Sequence, residues 1–133
     1  VGNGAGNAGG SNAFFGTNAG NTNSTGSSNT AIGAEADVAA GGLVNATAIG
    51  ANASVSQSNS VVLGGVTGVN GGTSTNVGIG TTAPKAKLDV TGGNILVGTP
   101  GQGIILKSPN GLTCKLLSID DAGAMVLANA TCP

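Results

Sequence analysis

The sequence predicts an all-β chain in two parts, a parallel β-roll of short repeats followed by a small antiparallel β module. Three observations carry that prediction. A short frame recurs through the first 83 residues, those residues are too rich in glycine and asparagine for helix, and the composition changes at Pro84.

The clearest copy of the frame is Asn45-Ala46-Thr47-Ala48-Ile49-Gly50-Ala51-Asn52-Ala53, with a small polar start, a large apolar residue, a glycine and, three positions on, an alanine. It recurs as Asn12-Ala13-Phe14-Phe15-Gly16-Thr17-Asn18-Ala19 and as Asn29-Thr30-Ala31-Ile32-Gly33-Ala34-Glu35-Ala36. Looser copies follow at Asn59-Ser60-Val61-Val62-Leu63-Gly64 and at Asn76-Val77-Gly78-Ile79-Gly80. Val1-Gly2-Asn3-Gly4-Ala5 fits the tail of one more, which predicts that the chain begins inside an array. The frame glycines Gly2, Gly16, Gly33, Gly50, Gly64 and Gly80 are 14, 17, 17, 14 and 16 residues apart, as in a coil whose turns lengthen at one corner.

Residues 1–83 hold 19 of the 26 glycines, so no 12-residue stretch keeps helical propensity. Runs such as 47–49 and 60–63 read instead as strands of three to five residues bounded by turn residues. Strand alternation points Ile49 into the coil and Ala48 and Gly50 the other way. Glycine after the apolar residue permits a corner with positive φ or a close backbone approach, and asparagine suits the turns. Stacked coils, about 4.8 Å apart, would align Ile32, Ile49 and Leu63 in one apolar column and the frame alanines in a second.

Composition adds a prediction of assembly. The only aromatic residues are Phe14 and Phe15, and 7% of residues are charged. Mean hydropathy of +0.26 argues against disorder. Yet one copy has little large apolar surface to offset roughly 1–2 kcal/mol of backbone entropy per ordered residue. A core shared between identical chains resolves the conflict and predicts an obligate homo-oligomer. A net charge of −1 excludes bulk attraction to nucleic acid or anionic membrane. No apolar run approaches the ~20 residues of a membrane helix, so no direct membrane insertion is expected. No signal peptide is recognisable, which predicts a soluble piece of something longer.

The frame resembles the head repeats of the trimeric autotransporter adhesins, the YadA-like head, best over residues 11–64 and less well over 65–83. The resemblance implies a left-handed parallel β-roll with three chains side by side around a threefold axis, a homotrimer. The 17-residue steps are longer than that family's usual spacing. Its membrane-anchor barrel and heptad stalk have no counterpart in the sequence.

All four prolines and all four lysines lie from Pro84 onward, giving 84–133 a net charge of +1 against −2 for 1–83. Domains are therefore expected at 1–83, a repeat head or shaft, and 84–133, a compact antiparallel tip. Strands are expected at 87–90, 94–97, 103–107, 113–119 and 124–128, with turns at Gly92-Gly93, Thr99-Pro100-Gly101, Pro109-Asn110-Gly111 and Asp120-Asp121-Ala122-Gly123. The segment Asn76-Val77-Gly78-Ile79-Gly80-Thr81-Thr82-Ala83-Pro84-Lys85-Ala86-Lys87-Leu88-Asp89-Val90 resembles an element of bacteriophage tail fibres and bacterial surface fibres. Gly103-Ile104-Ile105-Leu106-Lys107-Ser108-Pro109-Asn110-Gly111, with 116–123, resembles the closing module of such trimeric fibres. Both imply that the chain ends in a distal tip.

Two cysteines, Cys114 and Cys132, flank a short C-terminal segment. Without histidine or a CxxC pair a zinc site lacks ligands from one chain. A disulfide, within one chain or between subunits, is expected, and with it an oxidising, extracytoplasmic setting.

No metal and no cofactor is expected, and no enzyme. Histidine, arginine and tyrosine are absent, which removes the common general bases and anion clamps. Asp120 and Asp121 would be a glycosidase pair only at a fixed separation, and adjacent residues in a turn diverge. Gly2-Asn3-Gly4-Ala5-Gly6 and Gly71-Gly72 lack the helix and lysine of a phosphate loop, and the aspartates of a calcium-loaded roll are missing. Sequons at Asn23, Asn45, Asn52 and Asn129 are expected by chance in so Asn- and Thr-rich a chain. One of Phe14 and Phe15 must face inward, so core packing is expected ahead of a sugar-stacking platform.

The candidate ligand-binding residues are Lys107, Asn110, Lys115, Asp120 and Asp121, weak sites displayed three times around an axis and strengthened by avidity. The expected function is that of an extracytoplasmic trimeric fibre or adhesin tip, on a bacterial cell surface or a phage virion, attaching to a cell-surface glycan or other envelope ligand. The alternative is a structural spacer or trimerisation cap without a ligand.

Overall fold

The structure, a computed structural model, describes residues 9–133, so the frame tail expected at Val1 to Ala5 lies outside the described residues. The chain divides into two compact units, Val1–Gly92 and Gly93–Pro133. Every regular element among the described residues is a β-strand.

In the first unit the frames stack as coils of a β-solenoid. Strands β1 (Ala13–Phe15), β2 (Thr30–Ile32), β4 (Ala46–Ile49) and β6 (Ser60–Leu63) form one parallel sheet in the order β1-β2-β4-β6. On the second side of the coil, β3 (Asp37–Val38) pairs in parallel with β5 (Ser54–Val55). Thr30 lies beside Thr47, a 17-residue coil, whereas Ala46 lies beside Ser60, a 14-residue one. The difference sits in one corner: seven residues, 39–45, follow β3, and four, 56–59, follow β5. The extra residues of the longer coil include Gly41, whose carbonyl accepts the amides of Ser24, Thr25 and Gly26 from the coil before.

The frame glycine is required by close approach. Gly16, Gly33 and Gly50 have φ of 139°, 133° and 120°, and a Cβ on Gly33 would lie 2.6 Å from the Gly50 carbonyl group. After each glycine the chain turns tightly, Ala36 N donating to Gly33 O and Ala53 N to Gly50 O, with Glu35 and Asn52 in left-handed geometry between them.

The expected faces are reversed within one chain. The alanines point in and the isoleucines out. Ala31, Ala36, Ala46, Ala48 and Ala53 are fully buried with Val38 and Val55, and Phe14 closes the core at the first coil. The roll is thin, so beyond Phe14 in the first coil its buried apolar side chains are alanines and valines. Ile32, Ile49 and Leu63 do align in register, with Phe15 ahead of them, but on the outside.

Asparagine does more than favour turns. Asn29 is buried, its Oδ1 accepts the amide of Ala46 in the next coil (2.9 Å), and its Nδ2 donates to Leu43 O (2.7 Å) and Asn23 Oδ1 (3.2 Å). Asn12 repeats the first contact one coil earlier, accepting from Asn29 N at 2.9 Å. A side-chain amide thus joins coils where the strand ladder has not yet begun.

The antiparallel module does not start at Pro84. Strand β7 (Val77–Ile79) pairs in parallel with β8 (Leu88–Val90), and Lys87 reaches back to Ser74 Oγ (3.0 Å) and Thr75 O (3.1 Å). The composition break falls inside a packed parallel pair, because prolines and lysines change the loop's chemistry without ending its pairing.

The second unit is a three-stranded antiparallel sheet in the order β11-β10-β9, from β9 (Ile104–Lys107), β10 (Cys114–Ile119) and β11 (Met125–Ala130). The strand expected at 94–97 is absent; Ile95, Leu96 and Val97 instead line a concavity with Ile104 and Leu117 of the sheet. Cys114 and Cys132 are bridged within the chain, tying the start of β10 to the segment after β11.

Candidate functional site

The five candidate residues lie at both ends of the second unit's sheet. Lys107, Asn110 and Lys115 flank or occupy the β9–β10 turn, whereas Asp120 and Asp121 follow β10 at the opposite end. The sequence order conceals this, because β10 carries Lys115 at its start and the two aspartates just past its finish.

Most of these groups are already engaged. Asn110 Oδ1 accepts from Ser108 Oγ (2.7 Å) and Leu112 N (3.1 Å), an arrangement that closes the turn whose left-handed position is Gly111. Asp120 Oδ1 accepts the amides of Ala122 (3.0 Å) and Ala124 (2.8 Å) and so builds the β10–β11 turn. Lys115 Nζ donates to Asn129 Oδ1 (2.6 Å), its cross-strand neighbour, and Lys107 Nζ donates to Pro133 O (3.2 Å). Asp121 takes no part in its turn's hydrogen bonds.

The aspartates border a cleft of about 280 Å³ with Thr99, Pro100, Gln102 and Ile119. Carboxylates, an amide and a hydroxyl there adjoin the apolar surfaces of Pro100 and Ile119. Such a cleft suits a ligand with both hydrogen-bonding and C–H faces. Asp120 meets it with one carboxylate oxygen, Oδ1, already taken by the turn amides. Among the described residues no three His, Cys, Asp or Glu side chains cluster as a metal site would require. No helix among them is long and apolar enough to cross a membrane.

Two features were missed by reading residues singly. One is the outward column Phe15, Ile32, Ile49 and Leu63, with relative exposures of 54, 42, 39 and 50%. Buried Phe14 and exposed Phe15 show the alternation expected of that pair, but Phe15 extends an apolar column. The other is the concavity of about 370 Å³ in the second unit, whose walls include Ile95, Leu96, Ile119 and Met125. The unbroken run Ile104-Ile105-Leu106 was its signal, because a sheet with one wet face alternates.

Comparison with known proteins adds no relative: no protein-family model, no curated protein and no solved structure matches the chain.

Proposed function

We propose that this chain is a non-enzymatic segment of a homotrimeric, extracytoplasmic fibre or adhesin. In this reading the solenoid coils are left-handed and form the shaft or head, and the C-terminal unit attaches the fibre to a cell-surface ligand, a glycan. The observation that carries the reading is the in-register apolar column on the outside of the solenoid sheet. Four large apolar side chains on adjacent strands make a flat surface that water solvates poorly, and identical chains are its natural cover.

The Cys114–Cys132 bridge supports an oxidising location, whether bacterial surface or virion. The mixed cleft at Asp121, Gln102 and Thr99 supports a sugar as ligand, with threefold display giving avidity.

Sedimentation of the oxidised protein at micromolar concentration tests the assembly, and a monomer there would sink it. A glycan array probed with the intact oligomer tests attachment. A uniformly blank array favours the spacer or trimerisation-cap reading, which has its own support in the commitment of Asn110, Lys115 and Asp120 to bonds within the chain.

A further inference from the structure

An asparagine carboxamide is most open to attack by the next backbone nitrogen when glycine follows, because no Cβ stands in the way. The chain has three such pairs, Asn3-Gly4, Asn70-Gly71 and Asn110-Gly111, of which the first lies outside the described residues. At Asn110 the carboxamide is held as a reacting group would be. Its Oδ1 accepts from Leu112 N, two residues on (3.1 Å), a turn that folds Cγ back over the intervening Gly111 nitrogen. Ser108 Oγ meets the same oxygen at 2.7 Å. The direction of that hydroxyl is fixed, since Ser108 Oγ itself accepts from Thr113 N (3.0 Å) and its one proton is left for Asn110. Two donors therefore converge on the oxygen that gains charge when a nucleophile adds to Cγ. The Gly111 amide proton points along its peptide plane to Ser108 O (2.8 Å), which leaves the π face of the nitrogen available. Gly111 has open space where a Cβ would stand, and both residues are exposed to water.

We propose that Asn110-Gly111 is a self-modification site, at which the turn promotes conversion of Asn110 to a carboxylate residue. Gly111 N forms a bond to Asn110 Cγ, its proton passes to hydroxide, and the carboxamide nitrogen leaves as ammonia with a proton from water. Water then opens the cyclic imide to aspartate or isoaspartate. An aspartate here keeps both donors, now as charge-assisted bonds, and takes the net charge of 84–133 from +1 to zero. The new charge appears at the end of the sheet that carries Lys107 and Lys115, so the turn has two electrostatic states. Asn70-Gly71 is the internal contrast. Asn70 has φ of 50°, and Asn52 Nδ2 holds its backbone carbonyl at 2.7 Å. Its carboxamide is engaged through Nδ2, the leaving group, which donates to Glu35 O.

The test incubates the disulfide-intact full chain in mildly alkaline buffer, folded and in guanidinium chloride, and follows each site by peptide mass. Cleavage before aspartate places Asn70 in 37–88 and Asn110 in 89–119, and fragmentation assigns the converted residue. Asn110 should convert at least about threefold faster in the folded chain than in the unfolded one, and Asn70 at least about threefold more slowly. Ser108→Ala removes the second donor and should slow Asn110 at least about threefold, whereas Ser108→Thr keeps the hydroxyl and should stay within about twofold of the parent. A smaller folded-to-unfolded ratio at Asn110 means that the turn does not promote the reaction, and overturns the inference. So does a folded Ser108→Ala variant that converts as fast as the parent. If Ser108→Ala loses the circular dichroism of the folded chain, the ratio and the Ser108→Thr variant decide, and a slow Ser108→Thr overturns the role of the hydroxyl.

Discussion

Replacing Gly33 by alanine adds one methyl group where the coils are closest. Its Cβ would lie 2.6 Å from the carbonyl carbon and oxygen of Gly50 and 2.9 Å from Ala51 N, all backbone atoms of the next coil. The native φ of 133° is itself a conformation that costs an alanine about 1–3 kcal/mol. Relieving the contact means moving one coil away from the next, which weakens the neighbouring bonds Gly50 N to Ile32 O (2.8 Å) and Asn52 N to Ala34 O (2.9 Å). Losing the better part of one such bond costs about 1 kcal/mol more. A total of about 2–4 kcal/mol is a large share of the ~5–15 kcal/mol stabilising a typical fold. The matched control is Gly10→Ala, where φ is not positive and nothing lies within 4 Å of the added methyl. That change should be neutral or stabilising by up to about 1 kcal/mol through the unfolded state. The assay is urea unfolding followed by circular dichroism at one fixed chain concentration, since assembly makes apparent stability concentration-dependent. Unfolding free energies for the two variants that agree within about 0.5 kcal/mol would refute the stacking of frame glycines as the basis of coil spacing.

Three further outcomes are expected. Asn29→Ala strands the amide of Ala46 in a buried site and leaves the Leu43 carbonyl with Ser27 N as its donor, and should cost about 2 kcal/mol in the same unfolding assay. Cys132→Ser opens a bridge with a sequence separation of 18, worth about 3 kcal/mol by the chain-entropy estimate. Hydrogen exchange should then quicken in β9, β10 and β11 and stay unchanged in β2 and β4. Asp120→Ala removes the acceptor for Ala122 N and Ala124 N, so the variant should lose about 1 kcal/mol of stability even if it binds every ligand that the parent binds.

The coils were legible because their cause is periodic. A glycine followed three residues on by alanine marks the same corner each time, and Gly16, Gly33 and Gly50 all turn there with positive φ. Which face pointed inward was not legible. Alternation separates Ala48 from Ile49 but does not say how far apart the two sides of the coil lie, and a thin coil selects the smaller residue for its interior. The limit at Pro84 misled for a related reason, since composition registers solvent and turn chemistry while Leu88–Val90 is held by its pairing with Val77–Ile79. Asn94-Ile95-Leu96-Val97 has strand-like residues, yet the strands of its unit pair in the order β11-β10-β9 without it. The candidate side chains were legible as turn residues and not as a group. Only pairing shows that the β9–β10 turn and Asp121 lie at opposite ends of one sheet.

The coil step has a mechanical consequence. A full coil consumes 17 residues between Thr30 and Thr47 and advances the stack by about 4.8 Å, whereas the same residues extended would span about 56 Å. Chain is converted into cross-section at the expense of reach, and bending resistance rises steeply with cross-section. Whole coils can be added or removed in steps of about 4.8 Å without altering the buried Ala and Val positions, so the repeat behaves as a stiff ruler graduated in single coils.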